Sequence, residues 1–240
     1  MARHLRAATF LAPCNRPLYE FIAEACGAAD LVDGGDWRTL GEGQIDIAFV
    51  CSPPLIWLKG AIEAVAAPVL SDPRFNGRPL YSSEVVVRTG SPFRSFADLE
   101  GSRWAVNEAS SWSGYWVVLQ RVGSWNYFGE VVETGFHRRS LRLVAAGEVD
   151  AAAIDSQVLA MELRNDPDLA RGLRVVATLG PAPSQPVVVR SGLDAAAKAN
   201  LQTRLLNLPG ALLRTFFIER FVPPPDYSEI AAAVGLEPIP

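Results

Sequence analysis

Histidine and cysteine are scarce in this chain, with two and three copies in 240 residues, and there is no excess of positive charge. Each scarcity excludes something. His4 and His137 with Cys14, Cys26 and Cys51 form no CxxC pair and no metal-ligand spacing, so neither a metal site nor a disulfide framework is expected and the cysteines are read as packed free thiols. A net charge of -4 argues against a nucleic-acid partner, whose surface would call for a basic stripe. No apolar run approaches the ~20 residues that cross a bilayer, so no membrane span is expected. The start MARHLRAATFLAPCNRP lacks the apolar core and small-residue cleavage site of a signal peptide. As written, the chain is expected to be cytoplasmic, or periplasmic if a leader has been omitted.

What is present is a globular composition, 49% apolar, with enough length for one large or two small domains. Two segments repeat. Residues 43–52 read GQIDIAFVCS and residues 147–156 read GEVDAAAIDS: a glycine, a polar residue, a β-branched residue, an aspartate, then an apolar run closing on a polar residue and a serine. The first follows WRTLGE and the second follows HRRSLRLVAA, in which Leu141, Val144 and Ala145 share one helical face. Each unit reads as helix, glycine cap and buried strand, and a strand apolar on both faces belongs in a parallel sheet covered by helices. A second echo, VVVRTG at 85–90 and VVVRSG at 187–192, reads as paired strands where the chain leaves one lobe and later returns. The fold class expected is α/β with two lobes of similar topology. Asp46 and Asp150, at strand starts, read as structural.

The stretch NEASSWSGYW, 107–116, lies between a short strand ending near Val106 and an apolar helix closed by Gly123. Serines at such a turn sit beside backbone N–H groups that lack an intrahelical partner and at the positive end of the helix dipole, which suits an anion or polar ligand. A simpler role is capping by Ser113. Ligands of open α/β sheets bind beyond the carboxyl ends of strands, where Cys51, Ser52, Asp155, Ser156 and the serine turn all fall.

In order, DIAFVCSPP, PLYSSEVVV, SFADLEG, NEASSWSG, TGFHRRSLRLVAAGEVDAAAIDS and LRVVATLGPAPSQPVVV resemble the phosphate, phosphite and phosphonate solute-binding proteins of ABC transporters, over about residues 40–192. The resemblance implies a two-lobe type 2 periplasmic-binding-protein-like fold with a ligand cleft between the lobes. Lobe one would comprise residues 1–88 and 186–240 and lobe two residues 89–185, with FVPPPDYSEI at 221–230 tying the tail onto lobe one. The function implied is a solute-binding protein, not an enzyme, that closes on a small anionic ligand such as a phosphonate, a phosphate ester or a related oxyanion. An ABC permease is the implied partner, and no cofactor is expected.

Carried over residue by residue, the family's serine, threonine, serine, glycine turn falls on Ser111, Trp112, Ser113 and Gly114. Its histidine falls on His137, preceded here by Phe136 rather than serine; its acidic contact falls on Asp155 and its aromatic contact on Tyr81. Ser52 joins these as a strand-end hydroxyl, with Trp57 the nearest early aromatic. Trp112 removes one hydroxyl donor, which an indole N–H replaces only in part. Ser113 and His137 are expected to approach a shared ligand from two sides without touching each other. Asp155, ending an apolar strand, is expected to pair with a cation or face the ligand. Arg138, Arg139 and Arg142 read as a solvated face. Two other classes share the fold: an enzyme using Ser113, His137 and Asp155, such as a dehydratase of menaquinone-type synthesis, and a ligand-sensing module. No G-x-S-x-G elbow accompanies the serines.

Overall fold

The computed structural model describes residues 5–235, so His4 lies outside the described residues. In chain order the strands are β1 (Leu5–Thr9), β2 (Ala28–Asp33), β3 (Ile47–Phe49), β4 (Ile62–Leu70), β5 (Leu80–Arg88), β6 (Arg103–Val106), β7 (Glu130–Glu133), β8 (Ala151–Asp155), β9 (Leu173–Pro183), β10 (Val187–Arg190) and β11 (Ile218–Val222). The α-helices are α1 (Arg16–Ala25), α2 (Ser52–Trp57), α3 (Val117–Val122), α4 (His137–Ala146), α5 (Ser156–Asn165), α6 (Pro167–Gly172), α7 (Ala195–Leu206), α8 (Gly210–Leu213) and α9 (Ser228–Val234). The chain divides into two units. One runs to Leu80 and resumes at Pro183; the other spans Tyr81–Ala182.

The first unit holds a six-stranded sheet in the order β11-β4-β10-β3-β1-β2, the second a five-stranded sheet in the order β7-β6-β8-β5-β9. Read from β7, the second order matches the first read from β2 as far as β4. Within each, three strands are parallel and the next is antiparallel: β1 pairs in parallel with β2 and β3 while β10 runs against β3, and β6 pairs in parallel with β7 and β8 while β5 runs against β8. The sequence echoes occupy equivalent places. Val189 lies opposite Ile47, and Val87 lies opposite Ala151, in each case the residue after the repeated aspartate.

The aspartates explain why the motif recurs. Asp46 N–H donates to Arg6 O at 2.9 Å, and Arg6 N–H donates back to Asp46 Oδ2 at 2.9 Å. Asp150 N–H donates to Arg103 O at 2.8 Å, and Arg103 N–H donates back to Asp150 Oδ2 at 2.8 Å. Each carboxylate thus satisfies the first open N–H of a neighbouring strand, and an arginine balances its charge: Arg190 Nε at 2.6 Å from Asp46, Arg103 Nη2 at 3.1 Å from Asp150. Gly43 and Gly147 end the preceding helical turns at φ of 70° and 77°, which a side chain would resist.

The buried residues follow the patterning. Every residue of β3 and β8 is buried, as expected for central strands with both faces covered. On α4, Leu141 and Val144 are buried while Arg142 is exposed. The second unit's core also contains a fully buried Trp104 stacked on Phe128 at 4.4 Å between ring centroids. In the first unit, β11 pairs with β4 and the Tyr227 hydroxyl donates to Ser184 O at 2.8 Å, which secures the 221–230 segment. Among the described residues no helix is long and apolar enough to cross a membrane, and all three cysteines are free thiols.

Candidate functional site

Beyond the carboxyl ends of β6, β7 and β8 the second unit gathers most of the residues singled out in the sequence. The chain leaves β6 at Val106 and enters a π-helical turn, Trp112–Trp116, that continues into α3. Ser111 caps this turn, its Oγ accepting from Gly114 N–H at 3.1 Å while its carbonyl accepts from Trp116 N–H at 3.2 Å, five residues on. The cap is therefore Ser111 and not Ser113, which leaves the Ser113 hydroxyl for another role. Trp112, Ser113, Gly114 and Trp116 are all buried, and Trp116 Nε1 donates to Ala109 O at 2.9 Å.

Ser113 Oγ lies 3.1 Å from His137 Nε2. This overturns the expectation that the two residues stay apart: the loop after β7 places His137 at the first position of α4, against the serine turn rather than across from it. His137 Nδ1 is buried with no hydrogen-bond partner among the described residues. Burial alone pushes the imidazole from an ordinary 6.5 to about 4, so the ring is neutral at ordinary pH.

Gly114 permits this packing. A Cβ there would lie 1.9 Å from Asn107 Oδ1 and 3.1 Å from His137 Cε1. Asn107 is itself buried, its carbonyl accepts from Gly135 N–H at 2.7 Å, and its Oδ1 has no partner among the described residues. Sequence reasoning missed Asn107, although it opens the quoted NEASSWSG stretch and follows a strand end directly. It also missed Ser83, which lies opposite Asp155 in the β5–β8 ladder and whose hydroxyl donates to Ser113 O.

Asp155 Oδ1 accepts from Gln157 N–H at 2.8 Å and Val158 N–H at 2.9 Å, so it caps α5, where the helix dipole and two donors stabilise the buried carboxylate. Arg138 is exposed, as expected, and also makes an ion pair. Its Nε sits 3.0 and 2.9 Å from the two oxygens of Glu162, a buried residue on α5, which ties the first turn of α4 to that helix. Arg139 and Arg142 are exposed, as expected.

Tyr81 is buried at the start of β5 in this same unit. Ser52 belongs to the first unit, where it opens α2 with a fully buried Oγ that has no partner among the described residues. Trp57 lies against Trp37 in that unit, the ring centroids 5.2 Å apart and the planes tilted by 35°. Glu108, in the loop before the serine turn, has its carboxyl pushed above the usual range by burial, opposed by a Ser110 hydrogen bond and reinforced by the Glu133 charge. The arrangement thus offers hydroxyls, a neutral imidazole and the N–H end of a helix in a desolvated place, which suits hydrogen bonding to an oxyanion.

The chain matches a protein family described as the phosphonate periplasmic substrate-binding protein of ABC transporters, over residues 37–228. Solved structures with the same fold include a binding-protein component of an ABC phosphonate transporter from Pseudomonas aeruginosa, 16% identical with a TM-score of 0.79, covering 96% of this chain and 85% of that one. PhnD1 from Prochlorococcus marinus in complex with methylphosphonate is 16% identical with a TM-score of 0.80, over 97% of this chain and 98% of that one. A Xanthomonas citri protein bound to ATP is 21% identical with a TM-score of 0.72, over 97% of each chain. At these identities the structural likeness is one of fold, the type 2 periplasmic-binding-protein fold expected from the sequence.

Proposed function

The chain belongs to the periplasmic substrate-binding proteins of phosphonate ABC transporters, and on that premise we propose that the serine turn of its second unit seats the anionic group of a phosphonate or a closely related oxyanion. Solute binding for transport is the family's role; the ligand class and the residues that hold it are the finer reading. The observation that carries it is the buried contact between Ser113 Oγ and His137 Nε2 at a helix start. A tetrahedral anion leaving water needs several donors in place of its hydration shell. Ser113, the imidazole and the first N–H groups of the turn supply them, while Ser111 holds the turn in shape. Trp112 reduces the hydroxyl count, which favours a ligand with an organic substituent over a bare, fully hydrated phosphate. Of the two locations the sequence leaves open, we take the periplasmic one, with a permease as partner.

The same contact raises the enzyme reading, since a base lies within reach of a hydroxyl. Two features favour recognition over turnover. Among the described residues no carboxylate holds His137 Nδ1, and an imidazole pushed by burial to about 4 is a weak base at neutral pH. Asp155, the acid that would complete a triad, spends Oδ1 on capping α5. Native mass spectrometry after incubation with methylphosphonate, phosphite and phosphate tests the reading. One ligand bound per chain and recovered unchanged is expected; a converted ligand would transfer the site to the enzyme class.

A further inference from the structure

Two polar atoms beside the serine turn are buried without partners among the described residues: His137 Nδ1 and Asn107 Oδ1. They flank the same glycine. Because a Cβ on Gly114 would sit 1.9 Å from Asn107 Oδ1 and 3.1 Å from His137 Cε1, the carboxamide oxygen lies within about 5 Å of the imidazole. Leaving buried polar atoms unpaired is costly, and two such atoms side by side call for a state in which both are used. A neutral imidazole that donates through Nε2 leaves Nδ1 an acceptor, with nothing to offer a neighbouring carboxamide oxygen. A charged imidazole has N–H groups on both nitrogens, and Nδ1–H then matches Asn107 Oδ1.

We propose that His137 takes up a proton as the anion binds, with Nε2–H turned to the ligand and Ser113 and Nδ1–H donating to Asn107, so that the ring is cationic only when the site is filled. The inference rests on the reading of the serine turn as the anion site. The reaction is a simple uptake: protein with neutral His137, one solvent proton and the anion give the complex. An anion at hydrogen-bond distance in a desolvated site raises an imidazole's proton affinity, opposing the burial that lowers it in the free protein. Asn107 is a positioning residue for that cation.

Other ionisable groups on the elements packed around α4 are already engaged. Asp155 of β8 caps α5, Arg103 of β6 pairs with Asp150, Glu162 of α5 holds Arg138, and Asp168 and Arg171 of α6 pair with each other. Glu108 and Glu133, in the loop before the serine turn and at the end of β7, act on each other. None of these moves His137, whose proton affinity in the free protein is set by burial alone.

The chain has only two histidines, so imidazole nitrogen resonances of uniformly histidine-labelled protein can be assigned with one His137→Gln control. Titrating the full chain with and without saturating methylphosphonate is expected to move the His137 midpoint upward by about 1–3 pH units. Between the two midpoints, affinity should fall about tenfold per unit rise in pH. An unchanged or lowered midpoint in a protein that binds methylphosphonate would overturn the inference and leave the site reading intact. Absence of binding to methylphosphonate, phosphite and phosphate would overturn both. In Asn107→Ala the ligand-induced rise should shrink; a full rise there removes Asn107 from the account.

Discussion

Ser113 and His137, twenty-four residues apart, meet through a buried Oγ to Nε2 contact of 3.1 Å, and Gly114 between them and Asn107 is what lets the turn and the imidazole come together. Gly114→Ala would drive a methyl group into the Asn107 carboxamide. Asn107 is short and buried and has little room to yield, so the variant should lose about 1–3 kcal/mol of stability and most of its affinity for methylphosphonate. Urea unfolding and a binding titration on the same preparation check this. Unchanged affinity in a folded variant would mean that the turn's geometry is not what holds the ligand.

Acid should destabilise the protein through His137. The unfolded imidazole titrates near 6.5 and the folded one near 4, so between those values the unfolded chain holds a proton that the folded chain does not. This contribution to stability is complete above about pH 6.5 and is lost as pH falls toward 4, by roughly 3 kcal/mol in the limit. Denaturation at neutral and mildly acid pH should show a smaller acid loss in His137→Gln than in the unaltered chain.

The repeated aspartates provide an internal comparison. Asp46 is almost fully buried beside Arg190, whereas the Asp150 side chain keeps 27% of its surface exposed. Removing one member of a buried pair strands the other, so Asp46→Ala should cost about 3 kcal/mol or more. Asp150→Ala should cost less, because water can reach Arg103. Equal losses in chemical denaturation would contradict the burial argument.

Glu162 is the buried anchor of Arg138, the residue that follows His137. Glu162→Gln should lower the unfolding midpoint and loosen the first turn of α4, weakening methylphosphonate binding as well. Amide exchange of the α4 N-terminal residues is the discriminating readout: faster exchange is expected there, and unchanged exchange would confine Glu162 to a general stability role.

Much of the fold was legible because it is written twice. GQIDIAFVCS and GEVDAAAIDS, with VVVRTG and VVVRSG beside them, mark the centre of each sheet, and the same aspartate-to-strand hydrogen bonds recur in both. Local chemistry announced the serine turn too. What remained hidden depends on contacts between elements far apart in the chain. Nothing in the spacing of Ser113 and His137 states that α4 begins against the serine turn. Asn107 and Ser83 carry ordinary polar side chains whose role exists only once β6 and β5 are placed, and the pairing of the exposed Arg138 with the buried Glu162 exists only once α5 is placed. Asp155 was found as a residue but not as a cap, because a strand-end carboxylate and an N-cap are the same letter at the same place.

The central claim, that the serine turn with His137 seats the ligand's anionic group, is tested most directly by calorimetric titration of methylphosphonate into the unaltered chain and into Ser113→Ala. The account predicts one ligand per chain and a loss of about 1–3 kcal/mol in the variant, with the fold and thermal unfolding otherwise preserved. Full affinity retained by a folded Ser113→Ala protein would contradict it.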